Sequence, residues 1–223
     1  RRISTDSKAS TTQREDLDLL VAYSAQNIDR LQGLYNATRR SRSDQQPRQL
    51  VIDPYGEAMA QAAGTPHVPK AGSPGLSIYV PQSQRVKIKQ SGQFGRVNSI
   101  RKHRIFSDEL RNQSGSHVLS FRPSMAKELE RAECLEGAHL IWSMWPGYLK
   151  ESRMEPFRNF LDRHGITTTT IHASGHASVA DLQRVSGAIS ADRVVPIHTS
   201  APERFSDTFD RVERHFDGEW WSV

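Results

Sequence analysis

Ile166-Thr167-Thr168-Thr169-Thr170-Ile171-His172-Ala173-Ser174-Gly175-His176-Ala177-Ser178 begins with six β-branched residues and ends in a cluster of imidazoles, hydroxyls and one glycine. Branching at Cβ favours extended backbone, so residues 166–171 read as a strand. Residues 179–185 carry Val179, Leu182 and Val185 at helical spacing and read as an amphipathic helix. The cluster between them is therefore a strand-to-helix turn. A further strand is expected over 193–197, ending on His198. His172, His176 and His198 would then stand at the carboxyl ends of consecutive strands, a placement suited to metal or anion binding rather than to core filling.

The same alternation extends back along the chain. Residues 1–16 are polar and basic and read as a tail or loop end. Residues 17–23 form a short apolar strand. Ser24-Ala25-Gln26-Asn27 has N-cap character, and Ile28, Leu31, Leu34 and Tyr35 then recur at helical spacing, which predicts a helix over 27–40. After a polar turn over 41–47, strands are expected at 49–53, 76–80, 118–121 and 138–142. Helices are expected at 55–63, 124–134 and 154–164, the last closed by Gly165, with a weakly helical basic stretch over 82–102. Residues 64–75 hold three prolines and three glycines and form a loop. A last helix is expected over 202–209 and a short edge strand over 219–223. Strand and helix in alternation predict an α/β fold with a mainly parallel sheet and flanking helices. Active groups in such folds lie at the carboxyl ends of strands. Ser24, Asp53, His172 and His198 all fall at expected ends.

Composition narrows the class. With 223 residues and 36% hydrophobic content, the chain is long enough to bury a core. No apolar run approaches the roughly 18 residues of a membrane span, and no charged-then-apolar start suggests a secretory signal. A single cysteine, Cys134, excludes an internal disulfide framework and fits a reducing, cytoplasmic setting; it reads as a small buried apolar residue. The net charge of +5, mostly from arginine, is compatible with phosphate-bearing partners.

The histidine turn has a definite chemistry. Gly175 allows a tight bend between His172 and His176. Ser174 and Ser178 lie at the mouth of the following helix, where free N–H groups and the helix dipole attract anions. A phosphate would be held by those N–H groups, by Ser174 and by His172, leaving His176 to donate a proton to a leaving oxygen. His198, after Pro196, has the character of a zinc-ligating imidazole.

His172-x-Ser174-Gly175-His176, followed by Pro196-x-His198, resembles the carboxyl-terminal signature of the β-CASP branch of the metallo-β-lactamase fold, which includes ribonuclease J. Tyr23-Ser24-Ala25-Gln26-Asn27-Ile28-Asp29-Arg30 resembles the turn that opens the β-CASP insert. The resemblance implies a zinc-dependent, two-metal phosphodiesterase acting most often on RNA. It implies that His198 is the last zinc ligand, that His176 is the general acid, and that His172 and Ser174 contact phosphate. It also implies a β-CASP-like domain over 17–165 and a return into the metallo-β-lactamase fold over 166–223. Two departures stand out: Thr199-Ser200 replaces the Gly-Glu usual after the last histidine, and no His-x-His pair is present. One imidazole cannot hold two zinc ions. Together with a start at Arg1 rather than methionine, this leads us to expect that the amino-terminal half of the fold lies on a preceding segment, and that the chain alone is inactive.

Other residues invite a second reading. Ser24 at its turn is a candidate phosphate contact, or the turn is ordinary capping by Ser24 or Asn27. Asp53 before Pro54 contacts a ligand or simply forms a turn. Arg122 before Pro123 clamps a phosphate or packs at a strand end. Arg101-Lys102-His103-Arg104 tracks a nucleic-acid backbone or forms a solvated face. Trp142, Trp145 and Tyr148 stack bases or pack internally. Three functions remain open at this stage: a ribonuclease portion, a non-catalytic nucleic-acid or partner-binding module, and a small-molecule ester or phosphodiester hydrolase. The expected partners are RNA, the other half of the fold and a second copy of the chain in a homodimer, with no membrane.

Overall fold

The computed structural model describes residues 19–40, 42–43, 46–113, 115–172 and 177–222. The chain divides into two compact units, residues 1–173 and 174–223. Their elements follow from local chemistry.

The strands of the first unit are β1 (Leu19–Ala22), β4 (Gln49–Ile52), β5 (Leu76–Tyr79), β6 (Arg104–Ile105), β7 (His117–Ser120), β8 (His139–Trp142) and β9 (Thr167–Thr170). Between β1 and β4 a small antiparallel pair joins β2 (Arg42–Ser43) to β3 (Gln46–Pro47). Among the described residues the seven main strands form one parallel sheet in the order β6-β5-β4-β7-β1-β8-β9. The expected α/β class with a parallel sheet is what the structure has. The helices are α1 (Ile28–Arg40), α2 (Pro54–Ala62), α3 (Gln82–Ser91), α4 (Gly95–Ile100), α5 (Ser107–Asn112), α6 (Ala126–Arg131), α7 (Pro146–Lys150), α8 (Glu155–Arg163) and, in the second unit, α9 (Val179–Ile189).

Alternation along the strands builds two cores. Val21, Leu50, Ile52 and Ile78 face α1, α2 and α4 through Leu31, Ala60 and Ile100. Leu20, Ala22, Val51, Leu119 and Leu140 face α5, α6 and α8 through Leu110, Leu129, Phe157 and Phe160. Strand order explains the division. From β1 the chain steps to β4, β5 and β6 in one direction, then returns to β7, β8 and β9 in the other. Right-handed crossovers put helices on opposite faces for opposite directions of travel. Because β7 inserts between β4 and β1, the direction changes there, and the carboxyl ends of β4, β7 and β1 frame a crevice of the kind that binds ligands in open α/β sheets.

Several expectations are corrected. Residues 193–197 are not a strand: Val194 makes an isolated bridge to Val212 and no more. Pro196 lacks a ladder donor, and no described strand of the second unit lies alongside. His198 therefore does not end a strand. The helix expected over 202–209 is a 3-10 turn, Pro202–Asp207, and residues 219–222 form no strand. The basic stretch is not continuous, because Gly92 ends α3 in the left-handed region (φ +67°) before α4 begins. The short β6 and α5 give no periodicity long enough to read. β9 pairs along β8, so it is an edge strand of the first unit.

Candidate functional site

Asp53 is the centre of the crevice. It follows β4 in extended conformation and caps α2, its Oδ1 accepting the Gly56 N–H at 2.7 Å. Gly56 suits this close approach, since a Cβ there would lie 3.2 Å from Oδ1. Arg122, which follows β7, donates from Nε to Oδ2 at 2.5 Å and from Nη2 to Oδ1 at 3.4 Å. Gln84 of α3 donates to Oδ2 at 2.6 Å. The carboxylate is only 1% exposed, so its charge is compensated by one guanidinium and neutral donors rather than by water. The sequence offered turn formation and ligand contact as alternatives for Asp53; its geometry is that of a helix cap that also fixes an arginine.

The crevice walls follow from this anchor. The Arg122 guanidinium lies 5.2 Å from the centre of the Tyr55 ring, a cation–π contact. α3 buries no residue of its own. It is held by Gln84 on Asp53 and by Glu128 of α6, which accepts the Gln82 N–H at 2.7 Å and pairs with Arg85 at 2.5 Å. The helix therefore presents Ser83, Lys87, Ile88 and Ser91 to a cavity of about 400 Å³, closed by Arg96, Arg122 and Ser124. Three cations and no acid line this cavity. Nearby, the Tyr23 phenol is buried without a well-formed hydrogen bond. Burial, reinforced by Asp53, pushes it up to about 12, while Ser120 and Arg122 pull the other way. It stays protonated at neutral pH.

The residues that the sequence singled out are placed as follows. Ser24 is exposed at the end of β1, and its carbonyl accepts the Asn27 N–H at 2.9 Å. Asn27 caps α1, accepting the Arg30 N–H at 2.9 Å. His172, two residues beyond β9, is exposed and makes no hydrogen bond among the described residues. Ser174, Gly175 and His176 lie outside the described residues. Ser178 is the N-cap of α9: its Oγ accepts the Asp181 N–H at 3.1 Å and donates to Asp181 Oδ2 at 2.7 Å. Ser178 first, then Arg184, holds the Asp181 carboxyl below its ordinary range. A carboxylate thus already occupies the first turn of that helix. His198 is exposed, in left-handed backbone (φ +56°) uncommon outside glycine, and is likewise free of hydrogen bonds among the described residues.

Other candidates resolve structurally. Cys134 is buried, its thiol against the carbonyls of Ser107 and Ala132. Trp142 is core, while Trp145 and Tyr148 form an exposed edge-to-face pair. Arg101–His103 is a 3-10 turn leading into β6, with Arg104 over the Phe106 ring at 4.7 Å. Gln84, Lys87 and Arg96 are the residues that sequence reading missed. They lie in a basic stretch without distinctive spacing, and only the passage of α3 and α4 beside the carboxyl ends of β4 and β7 gives them a role.

Two zinc ions are implied by the resemblance. Among the described residues no group of three or more His, Cys, Asp or Glu side chains converges. His198 offers one donor where catalytic zinc takes three from protein. The described residues do not make that centre on their own, and a complete one would draw on donors outside them. Among the described residues no helix is long and apolar enough to cross a membrane. No protein-family model matches the chain, and no curated protein matches it.

Proposed function

We propose that this chain is the carboxyl-terminal portion of a zinc-dependent metallo-hydrolase that cleaves phosphodiester bonds, with RNA as its substrate class. The reading rests on the resemblance at His172-x-Ser174-Gly175-His176 and Pro196-x-His198. One structural observation supports it most: among the described residues of 177–222, none is buried. A stretch of that length without a core cannot hold its fold by its own packing. α9 leaves Val179, Leu182, Val185 and Ile189 exposed along one side, an apolar stripe that requires a covering surface. The covering surface in this reading is the amino-terminal portion of the same fold, which also carries the remaining metal ligands.

Two imidazoles without a partner among the described residues fit the same account. A histidine that merely caps a strand spends its ring nitrogens on backbone, whereas His172 and His198 make no such bonds among the described residues. In the assembled enzyme His172 and Ser174 hold the scissile phosphate. A water oxygen bonds to phosphorus in line as the bond to the leaving oxygen breaks, and His176 gives that leaving oxygen its proton.

Cleavage of a short fluorescent RNA tests this, using the chain alone and joined to its amino-terminal portion. Cleavage only by the joined protein is expected. There, His176→Ala should lower turnover by about a hundredfold or more, with RNA affinity little changed. Equal losses in turnover and affinity would remove the general-acid role. RNA binding that is strongly salt-dependent, without cleavage by either form, would make the chain a binding module instead.

A further inference from the structure

We propose that the crevice at the carboxyl ends of β4 and β7 binds a nucleoside monophosphate. The site lies wholly within the first unit and does not depend on the hydrolase reading. Its position is the first argument, since the change of direction at β7 opens the sheet edge there. Its size is the second: about 400 Å³ lies within the roughly 300–1,000 Å³ of small-molecule sites.

Charge selects the ligand. Lys87, Arg96 and Arg122 line the cavity without an acid beside them. Lys87 and Arg96 are exposed and make no ion pair with a described residue. Arg122 is held in place rather than merely present. A guanidinium has five N–H donors; Asp53 engages one on Nε and one on Nη2, and the others remain for a ligand. An arginine oriented by a buried carboxylate matches the fork geometry that phosphate oxygens accept. Ser83, Ser91 and Ser124 add hydroxyls. The apolar part of the wall, Tyr55 at 41% exposure with Ile88, supplies a flat surface for a base. A phosphate on the cations and a base against Tyr55 together account for the lining.

Calorimetric titration of the chain with AMP and UMP tests this, with inorganic phosphate, adenosine and a short single-stranded RNA as comparisons. Lys87→Gln with Arg96→Gln is the informative variant, because both side chains are exposed and neither supports the fold. Saturable binding of a nucleotide is expected, about tenfold or more tighter than phosphate or adenosine and weakened about tenfold or more in the double variant. Absence of saturable nucleotide binding would overturn the proposal. Equal affinity for phosphate alone, unchanged affinity in the double variant, or binding of RNA without mononucleotide binding would each do the same. A thermal melt matching wild type ensures that a loss in the variant reports the site.

Discussion

Asp53 and Arg122 stand 69 positions apart, and nothing in either neighbourhood of the sequence pairs them. Each reads alone as a residue before proline at a strand end. Their pairing depends on β7 lying next to β4, a fact of strand order that local pattern does not carry. It has a measurable consequence. Asp53→Ala removes a cap and strips Arg122 of its partner, and should cost about 3 kcal/mol or more in urea unfolding. Asp53→Asn keeps an acceptor for Gly56 and should cost clearly less; equal losses would mean that the carboxylate charge, not the cap acceptor, carries the whole effect. His117, at the opposite end of β7, is 2% exposed, and neither ring nitrogen makes a well-formed hydrogen bond. Burial holds it below its ordinary value, with the Gln113 carbonyl and Glu109 opposing. The unfolded chain therefore takes up this proton first. Stability is full above about pH 6.5, the unfolded value, and falls as pH drops towards the folded value. His117→Leu should flatten that acid limb of a stability–pH curve; an unchanged slope would assign the limb to other groups.

At the scale of elements, legibility followed packing. Strands β1, β4, β5, β7 and β8 are apolar runs because both faces of a parallel strand are covered, and the sequence shows them directly. β9 was legible for a different reason, the branching of its four threonines. β6, of two residues, and α5, of six, are too short to carry a period. The expected strand before His198 failed because β-branched residues favour strand only where a neighbour pairs with them, and there Pro196 also withholds a donor. Gly165 was read correctly as a helix stop. It sits at φ +61° with nothing within 4 Å of a built Cβ, so Gly165→Ala should cost only the backbone penalty, about 1–2 kcal/mol. A larger loss would reveal a steric role. In α9 the Ser178 cap should be worth about 1 kcal/mol, read as lost helicity in Ser178→Ala.

The whole molecule is uneven. Two apolar clusters fill both faces of the first unit's sheet, while the described residues after Ser178 bury none of their own. Local unfolding should follow that contrast. Brief trypsin treatment of the chain should cut after Arg184 and Arg193 well before cuts within β1 to α8; uniform cutting would contradict the contrast. Of the candidate hydrolytic residues, Ser178 and His198 lie in the less packed part and Ser174, Gly175 and His176 lie outside the described residues, so the sequence motif outran the geometry there. The crevice lies in the well-packed part, where geometry outran the sequence. Zinc content, by elemental mass spectrometry after dialysis, tests the central claim most directly when measured on the chain alone and on the protein joined to its amino-terminal portion. The account predicts almost none on the chain alone and close to two ions in the joined protein. Close to two ions on the chain alone would contradict it.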